Sequence, residues 1–109
     1  RGMEVKQYQI ILVNLEPAIG SEIKKTRPCV IISPDEMNTH LRTVIIAPMT
    51  TSSKRYPTRV RIKHENKIGW IVLDQIKTID KQRIIKNLGR LRGPEIREVK
   101  AVLKETFVD

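Results

Sequence analysis

The chain has 109 residues, a length that favours one domain with a modest core, and its 39% hydrophobic content excludes wholesale disorder. Aromatic residues make up only 4%, which argues against a general stacking platform for single-stranded nucleic acid. Lysine and arginine total 21 against 12 acidic residues, and the formal charge of +9 favours a nucleic-acid partner, although a merely soluble basic protein would share it.

Several features of the sequence bear on location. Cys29 is the only cysteine, so no internal disulfide can form and a reducing cytoplasm fits. No stretch is long enough to span a bilayer, and no signal-peptide apolar region is present. Arg1 and Gly2, which precede Met3, are interpreted as an expression remnant. We expect one cytoplasmic domain over residues 1–109 with no membrane role.

The first half of the chain alternates apolar runs with polar loops. Three β-rich runs predict strands at residues 7–15, 28–33 and 42–49. Polar loops are predicted at 16–26 and 50–57. Between the second and third strands, the stretch SPDEMN predicts one helical turn capped by Ser33 or Asp35. Pro48 inside the third run indicates an edge strand or a bulge.

The second half predicts further strands and one helix. The strands are predicted at residues 58–64, 70–76 and 84–91, with a turn at 66–69 and a short turn or helix within 78–86. Pro94 suits the first position of a C-terminal helix. The apolar face of this helix is predicted from its spacing to contain Ile96, Val99, Val102, Leu103 and Phe107.

The order of these elements indicates the fold class. Strand–helix units do not alternate, which argues against a doubly wound parallel sheet. Many short strands joined by polar loops, followed by one helix, favour a mainly β fold. We predict a small, strongly bent antiparallel barrel with a C-terminal α-helix.

Several common catalytic and cofactor motifs are missing from the sequence. It contains no glycine-rich phosphate loop and no paired cysteines, and His40 and His64 stand outside any zinc motif. No histidine has a neighbouring carboxylate in a pattern that suggests a serine triad. We therefore predict no metal and no cofactor.

Arg27 stands directly before Pro28, where a polar loop enters a predicted strand. Proline disfavours helical geometry in the preceding residue, fixes its own φ and donates no ladder hydrogen bond. Arg27 is therefore held at a stiff junction, and its guanidinium suits a phosphate. On these two residues alone, an ordinary exposed arginine at a strand end is the simpler interpretation.

Two further polar pairs attract interest. Thr50 and Thr51 end the third predicted strand, where hydroxyls could hold a phosphate oxygen or a 2′-OH, or serve ordinary turn chemistry. Asp74 and Gln75 interrupt an apolar run, and a carboxylate there needs a partner if it is buried. A structural anchor for a loop is the first interpretation of Asp74, and a polar site is the second.

Five short motifs follow one another along the chain. They are GSE at 20–22, RPCVIIS at 27–33, PMTT at 48–51, KRYP at 54–57 and LDQIKTID at 73–80. In this order they resemble the MazF/PemK toxins of bacterial toxin–antitoxin systems over residues 7–107. The resemblance implies an SH3-like barrel of the MazF/PemK/CcdB kind and a homodimer. It also implies a metal-independent endoribonuclease that cuts single-stranded RNA at short motifs. A MazE-like antitoxin would cover its active groove and bind DNA together with it.

The resemblance also implies roles for individual residues. Arg27, Thr50 and Glu22 match the catalytic positions of the family, and Asp74 matches an aspartate that is catalytic in the plasmid-borne branch. That branch has an arginine two residues before the aspartate, where this chain has Val72, so Asp74 is a secondary candidate.

The first strand departs from the family as well. Many members open it with Gly-Asp, whereas this chain has Tyr8 and Gln9.

The implied reaction uses the 2′-OH of the substrate, which attacks the adjacent phosphorus and leaves a cyclic phosphate and a free 5′-OH. Arg27 would neutralise the phosphorane, Thr50 would orient it, and Glu22 could accept the 2′-OH proton. Further contacts to RNA are predicted from Lys24, Lys25, Thr51, Lys54, Arg55, Arg59, Arg61 and Gln75.

Two other functions remain open from the sequence. A toxin of the same fold could poison DNA gyrase by protein–protein contact, which would need no Arg–Pro and threonine site. A plain basic module could bind nucleic acid without cutting it, and Arg27 would then have no special role.

Overall fold

A computed structural model describes residues 4–15 and 26–108 of the chain. The strands are β1 Gln9–Asn14, β2 Thr26–Ile31, β3 Thr43–Thr50, β4 Arg59–His64, β5 Lys67–Val72, β6 Lys77–Asp80 and β7 Ile84–Arg90. The helices are α1 Asp35–His40 and α2 Gly93–Phe107, and two 3-10 turns cover Leu73–Gln75 and Lys81–Arg83. Every strand pairing is antiparallel.

The sheet is strongly curled, and its connectivity explains why. Five strands follow in the order β6, β3, β2, β1, β7. In a flat sheet the outer two would lie about 19 Å apart, at ~4.8 Å per neighbour. Only the turn Lys81–Arg83 joins them, and a chain of that length reaches at most ~14 Å when fully extended. The five strands therefore bend into a half-barrel, as predicted.

The two faces of the curled strands carry two apolar clusters. We call them the inner cluster and the outer cluster. The inner cluster consists of Ile11, Val13, Cys29, Ile31, Val44, Ile46 and Ile79. The outer cluster alternates with it along the same strands and includes Ile10, Val30, Ala47, Met49, Val60, Ile62, Ile71, Leu73 and Val99. The β4–β5 hairpin and α2 supply the second side of the outer cluster, so both faces are buried without many aromatic residues.

Pro48 lies in a central strand, so the expectation of an edge position is wrong. β3 pairs with β2 on one side and with both β5 and β6 on the other. The carbonyl of Ile45 accepts from the N–H of Ile32. The backbone N–H and C=O groups of the odd-numbered residues here therefore point towards β2, and those of Pro48 point towards β5 and β6. The 3-10 turn Leu73–Gln75 separates β5 from β6 beside Pro48. Because proline has no N–H, this break leaves no donor of β3 unpaired there.

Three non-glycine residues of the described chain have positive φ and shape the sheet. Glu65 and Asn66 (φ 51° and 65°) form the two-residue turn between β4 and β5, which places the turn earlier than the predicted 66–69. Tyr8, at the position where the resemblance expects glycine, also has φ 69°. Its N–H donates to Ile31 and its carbonyl accepts from Leu91, so surrounding structure holds this unfavourable conformation.

The helical regions confirm the prediction in part. α2 starts at the predicted place, and Glu95 accepts from the backbone N–H of Arg92 at 2.8 Å. Val99 is buried, but Phe107 is 56% exposed, so the predicted apolar face ends one turn early. α1 has Pro34 at its N-cap and no side-chain cap, contrary to the expectation for Ser33 or Asp35.

The stretch 78–86, predicted to hold a short turn or helix, does hold one: the 3-10 turn Lys81–Arg83 joins β6 to β7. β6 ends at Asp80, whose carboxylate accepts from the N–H of Gln82 and caps the turn that leads into β7. In the part of the chain that is described, no helix is long and apolar enough to cross a membrane.

Candidate active site

Arg27 and Thr50 lie opposite one another at the ends of two neighbouring strands. The last recorded pair between β2 and β3 joins Cys29 to Pro48. Two residues further along each strand are Arg27 and Thr50, so the same register sets them across from each other on one face. We call the strand ends formed by Thr26, Arg27 and Thr50 the ridge.

The proline next to Arg27 explains how its guanidinium is held. The register pairs Pro28 with Met49, and both backbones point into the space between β2 and β3. Proline has no N–H to donate, so the carbonyl of Met49 lacks its ladder partner. Nη1 of Arg27 donates to this carbonyl at 3.2 Å. The Arg–Pro pair therefore creates an acceptor and fills it with the arginine side chain.

Thr50 is held by the backbone just after β3. Its Oγ1 lies 3.2 Å from both the N–H and the carbonyl of Ser52, so the hydroxyl can accept from one and donate to the other. This turn fixes the side chain of Thr50 at the end of the strand. The hydroxyl keeps one acceptor lone pair for a further partner.

A cleft of about 790 Å³, which we call cleft A, opens on the inner-cluster side of the ridge. It is lined by Leu15, Thr26, Arg27, Pro48, Thr50, Ser52, Arg59, Val72, Gln75 and Lys77. Of these described lining residues, three are cationic and none is acidic. Cleft A therefore suits an anion such as a phosphodiester.

A second cleft of about 480 Å³, cleft B, opens on the other side of the same ridge. Its walls include Thr26, Arg27, Pro28, Met49, Thr50, Thr51, His64, Glu65, Lys67, Ile68, Gly69 and Leu88. Met49 and Pro28 alternate along their strands with the residues that face cleft A, which places cleft B on the outer-cluster side. Arg27 and Thr50 line both clefts.

Cys29 lies buried beneath cleft A, and its thiol is unreactive. Burial raises the pKa of its thiol to about 12, although the nearby charges of Arg27 and Lys77 lower it. The thiol therefore stays protonated near neutral pH and is a poor nucleophile. Cys29 is therefore a residue of the core.

Asp74 belongs to a network of side chains at the far end of cleft A. Its Oδ1 accepts from Oγ1 of Thr58 at 3.1 Å and from Nε of Arg59 at 3.3 Å. Arg59 also donates to Oγ of Ser53 at 2.8 Å and stacks on Tyr56, with 4.8 Å between its guanidinium carbon and the ring centre. Asp74 thereby ties the 3-10 turn to the segment 51–58.

The network also sets the charge of Asp74. Slight burial raises the pKa of its carboxyl, but the hydrogen bonds from Arg59, its own backbone and Thr58 outweigh burial and lower the pKa overall. The carboxylate is therefore ionised, and its Oδ1 already accepts hydrogen bonds from Thr58 and Arg59. A low pKa and two side-chain donors suit a structural anchor better than a general base.

Comparison with known proteins identifies the family. The family described as "PemK-like, MazF-like toxin of type II toxin-antitoxin system" matches residues 6–107. The chain belongs to the PemK/MazF toxin family. The protein named Endoribonuclease MazF from Staphylococcus saprophyticus is 35% identical over 101 residues, which cover 87% of this chain and 84% of that protein.

Solved structures of similar proteins confirm the fold. The crystal structure of MazF from Deinococcus radiodurans has a TM-score of 0.79 at 21% identity and covers 96% of this chain and 97% of its own. A mycobacterial endoribonuclease in complex with its cognate antitoxin has a TM-score of 0.75 at 21% identity, covering 94% and 91%. The half-barrel with a C-terminal helix is thus the fold of the family.

The structure brings together only some of the site residues that were predicted from the sequence. Arg27 and Thr50 share the ridge, Arg59 and Gln75 line cleft A, and Thr51 lines cleft B. Three predicted RNA contacts are exposed and line neither cleft: Lys54, Arg55 and Arg61. Glu22, Lys24 and Lys25 lie outside the described residues.

Two residues of the site were missed from the sequence. Lys77 lines cleft A because β6 pairs it with Ile46, which places both on the inner face. Only its position in the motif LDQIKTID could have drawn attention to it. His64 lines cleft B, and no local motif marks it. In both cases strand pairing, which sequence patterns do not specify, makes the site.

Proposed function

We propose that this chain is an endoribonuclease toxin that cleaves single-stranded RNA at short sequences without a metal. The observation that carries the proposal is the pairing of Arg27 with Thr50 on one ridge, beside a cleft whose described lining is cationic. Membership in the PemK/MazF family and the name of the Staphylococcus saprophyticus relative support the enzyme class.

In the proposed reaction, the 2′-oxygen of the substrate forms a bond to the adjacent phosphorus, and the bond from phosphorus to the 5′-oxygen breaks. The products are a 2′,3′-cyclic phosphate and a 5′-OH. The 2′-OH proton passes to a base, and a proton reaches the leaving 5′-oxygen. The nucleophile belongs to the RNA, so the protein needs no activated serine or cysteine.

Arg27 is proposed to stabilise the phosphorane. A guanidinium stays charged in proteins and offers several donors, so Arg27 can keep its bond to Met49 while other N–H groups contact non-bridging oxygens. Fixing the cation before the reaction lowers the reorganisation needed in the transition state. Thr50 is proposed to orient the reacting groups: its remaining lone pair can accept from the substrate 2′-OH, and its hydroxyl proton can turn from the Ser52 carbonyl to a phosphate oxygen.

Proton transfer is assigned to Glu22 rather than to Asp74. The Asp74 carboxylate already accepts from Thr58 and Arg59, which supports a positioning role for it. Glu22 matches the family glutamate and remains the proposed acceptor of the 2′-OH proton.

The partners follow from the same proposal. A cognate MazE-like antitoxin would cover the active groove and bind DNA together with this chain, and the mycobacterial complex supports such a pairing. We also propose a homodimer that acts in the cytoplasm, where its RNA substrate is found.

The test is incubation of the pure protein with a long natural RNA in EDTA, followed by analysis of the fragment ends. We expect cleavage at a short recurring sequence, with cyclic phosphate and 5′-OH ends, and cleavage slowed by about 10²–10³-fold in Arg27→Ala of unchanged fold. Binding without cleavage would indicate a plain nucleic-acid-binding module. Accumulation of relaxed DNA in a gyrase assay, with intact RNA, would indicate the gyrase poison.

A further inference from the structure

Cleft B differs from cleft A in the chemistry of its walls. Beyond the shared ridge, cleft A is lined by the cationic residues Arg59 and Lys77, whereas cleft B is lined by the apolar residues Ile68 and Leu88. Its volume of about 480 Å³ falls within the usual range for small-ligand sites. A phosphodiester is poorly matched to this surface, but the flat apolar face of a base fits it.

The polar groups of cleft B stand at one edge. His64, Glu65 and Lys67 come from the β4–β5 turn and supply a ring, a carboxylate and an ammonium group. Unpaired RNA bases are recognised by stacking on rings and apolar groups and by hydrogen bonds to their edges. Cleft B offers both kinds of contact within one site.

Space beside Gly89 accommodates His64, whose Nε2 lies 3.9 Å from Oε2 of Glu65. The His64 side chain is 30% exposed, and a Cβ placed on Gly89 would lie 3.3 Å from its Cε1 atom. Gly89 has φ +131°, which disfavours any other residue there, so the strand leaves room for the imidazole. The two-residue turn after His64 fixes its position relative to Lys67. Specificity sites on rigid strands position their contacts better than sites on loops.

The position of the ridge between two clefts also suits the reaction. In-line attack by a 2′-OH requires the two nucleotides around the scissile phosphate to leave their stacked arrangement. Arg27 and Thr50 line both clefts, so a phosphate held on the ridge has one neighbouring nucleotide on each side. Separating these nucleotides between the two clefts would favour the reactive geometry.

We propose that cleft B binds the unpaired base of one nucleotide next to the scissile phosphate, and that His64 and Ile68 select this base. The inference rests on the proposed ribonuclease function and names the place where that enzyme reads sequence. The charged cleft A would hold the backbone on the other side of the ridge.

The experiment measures kcat/KM on short single-stranded RNAs in which the base on each side of the cleaved bond is varied in turn. We expect His64→Ala and Ile68→Ala each to reduce the preference at one flanking position by about tenfold, the effect of losing a base contact. Preference at the other flanking position should be retained.

Matched controls are available within the chain. Ile85 is 47% exposed against 46% for Ile68 and lies outside both clefts, so Ile85→Ala should retain the full preference. His40→Ala, on α1, is the corresponding control for His64. Equal unfolding midpoints would exclude a general loss of structure, and Ile68→Ala maintains the test if His64→Ala does not fold.

The outcomes separate the inference from the function. Unchanged base preference in both variants, with an inactive Arg27→Ala, would overturn the base site and leave the ribonuclease. A change in sedimentation of free Ile68→Ala, with preference intact, would make cleft B a protein contact and overturn the inference. Failure of the wild-type protein to cut any of the RNAs would overturn both.

Discussion

Cleft A and cleft B share one ridge but differ in how their remaining walls are built. Cleft A is bordered by cationic side chains and by a network that joins the 3-10 turn to the segment 51–58. Cleft B is bordered by apolar side chains and by a two-residue hairpin turn. Because successive residues of a strand face opposite sides, one pair of strand ends can serve a charged surface and an apolar one.

The largest expected effect comes from the ridge, which both clefts share. Arg27→Ala should lower kcat by about 10²–10³-fold, the usual cost of removing a fixed donor to a transition-state oxyanion. The loss should be equal on all RNA sequences, since Arg27 lines both clefts. Single-turnover rates on several RNAs measure this. A loss confined to some sequences would show that Arg27 reads bases instead of stabilising charge.

A second variant tests how Arg27 is held. Pro28→Ala restores an N–H that the register directs at the Met49 carbonyl, where it competes with Arg27. We expect kcat to fall about tenfold from the less fixed guanidinium. Stability should change by less than about 1 kcal/mol, because the added hydrogen bond offsets the greater freedom of the unfolded chain.

Urea unfolding and cleavage rates together decide that prediction. Pro34→Ala, which changes an exposed proline at the start of α1, is the matched control. Full activity of Pro28→Ala would mean that the contact between Arg27 and Met49 contributes nothing to catalysis.

The contrast in charge between the clefts predicts a smaller effect on affinity. Lys77→Ala should weaken RNA binding and reduce the slope of log K against log[salt] by about 0.7, the value for one contact to a single strand. Lys86→Ala removes the same charge from an exposed site on β7 outside both clefts and should leave the slope unchanged. Equal slopes for the two variants would remove Lys77 from the binding surface.

Asp74 gives the smallest expected effect. Asp74→Asn should raise KM a few-fold by loosening Arg59 and leave kcat nearly unchanged, whereas loss of a general base would lower kcat by about 10²-fold or more. A kcat loss of that size would make Asp74 catalytic.

The same carboxylate predicts a pH effect on stability. The pKa of Asp74 is lower in the folded protein than the ordinary aspartate value, so its contribution is complete above about pH 4 and disappears as pH falls through the lowered pKa. The contribution is small because the side chain is 36% exposed. Urea unfolding midpoints should therefore decline slightly less steeply below pH 4 in Asp74→Asn than in the wild-type protein.

Much of the fold could be predicted because its signals are local. Alternation of Val60 and Ile62 with basic residues indicates a strand, and Pro94 followed by apolar spacing indicates a helix. The break between β5 and β6 could not be predicted in this way. It lies beside Pro48, which is distant in sequence and faces the break only after β3 is paired.

The sequence by itself determined the strands, the terminal helix, the excess of positive charge and the Arg–Pro junction, because each depends on neighbouring residues or on composition. Only the tertiary structure decided that Met49 accepts from Arg27, that Asp74 is occupied by Arg59, and that the ridge has a cleft on each side. These contacts depend on strand register and on the curl of the sheet, which arise when distant segments pack together.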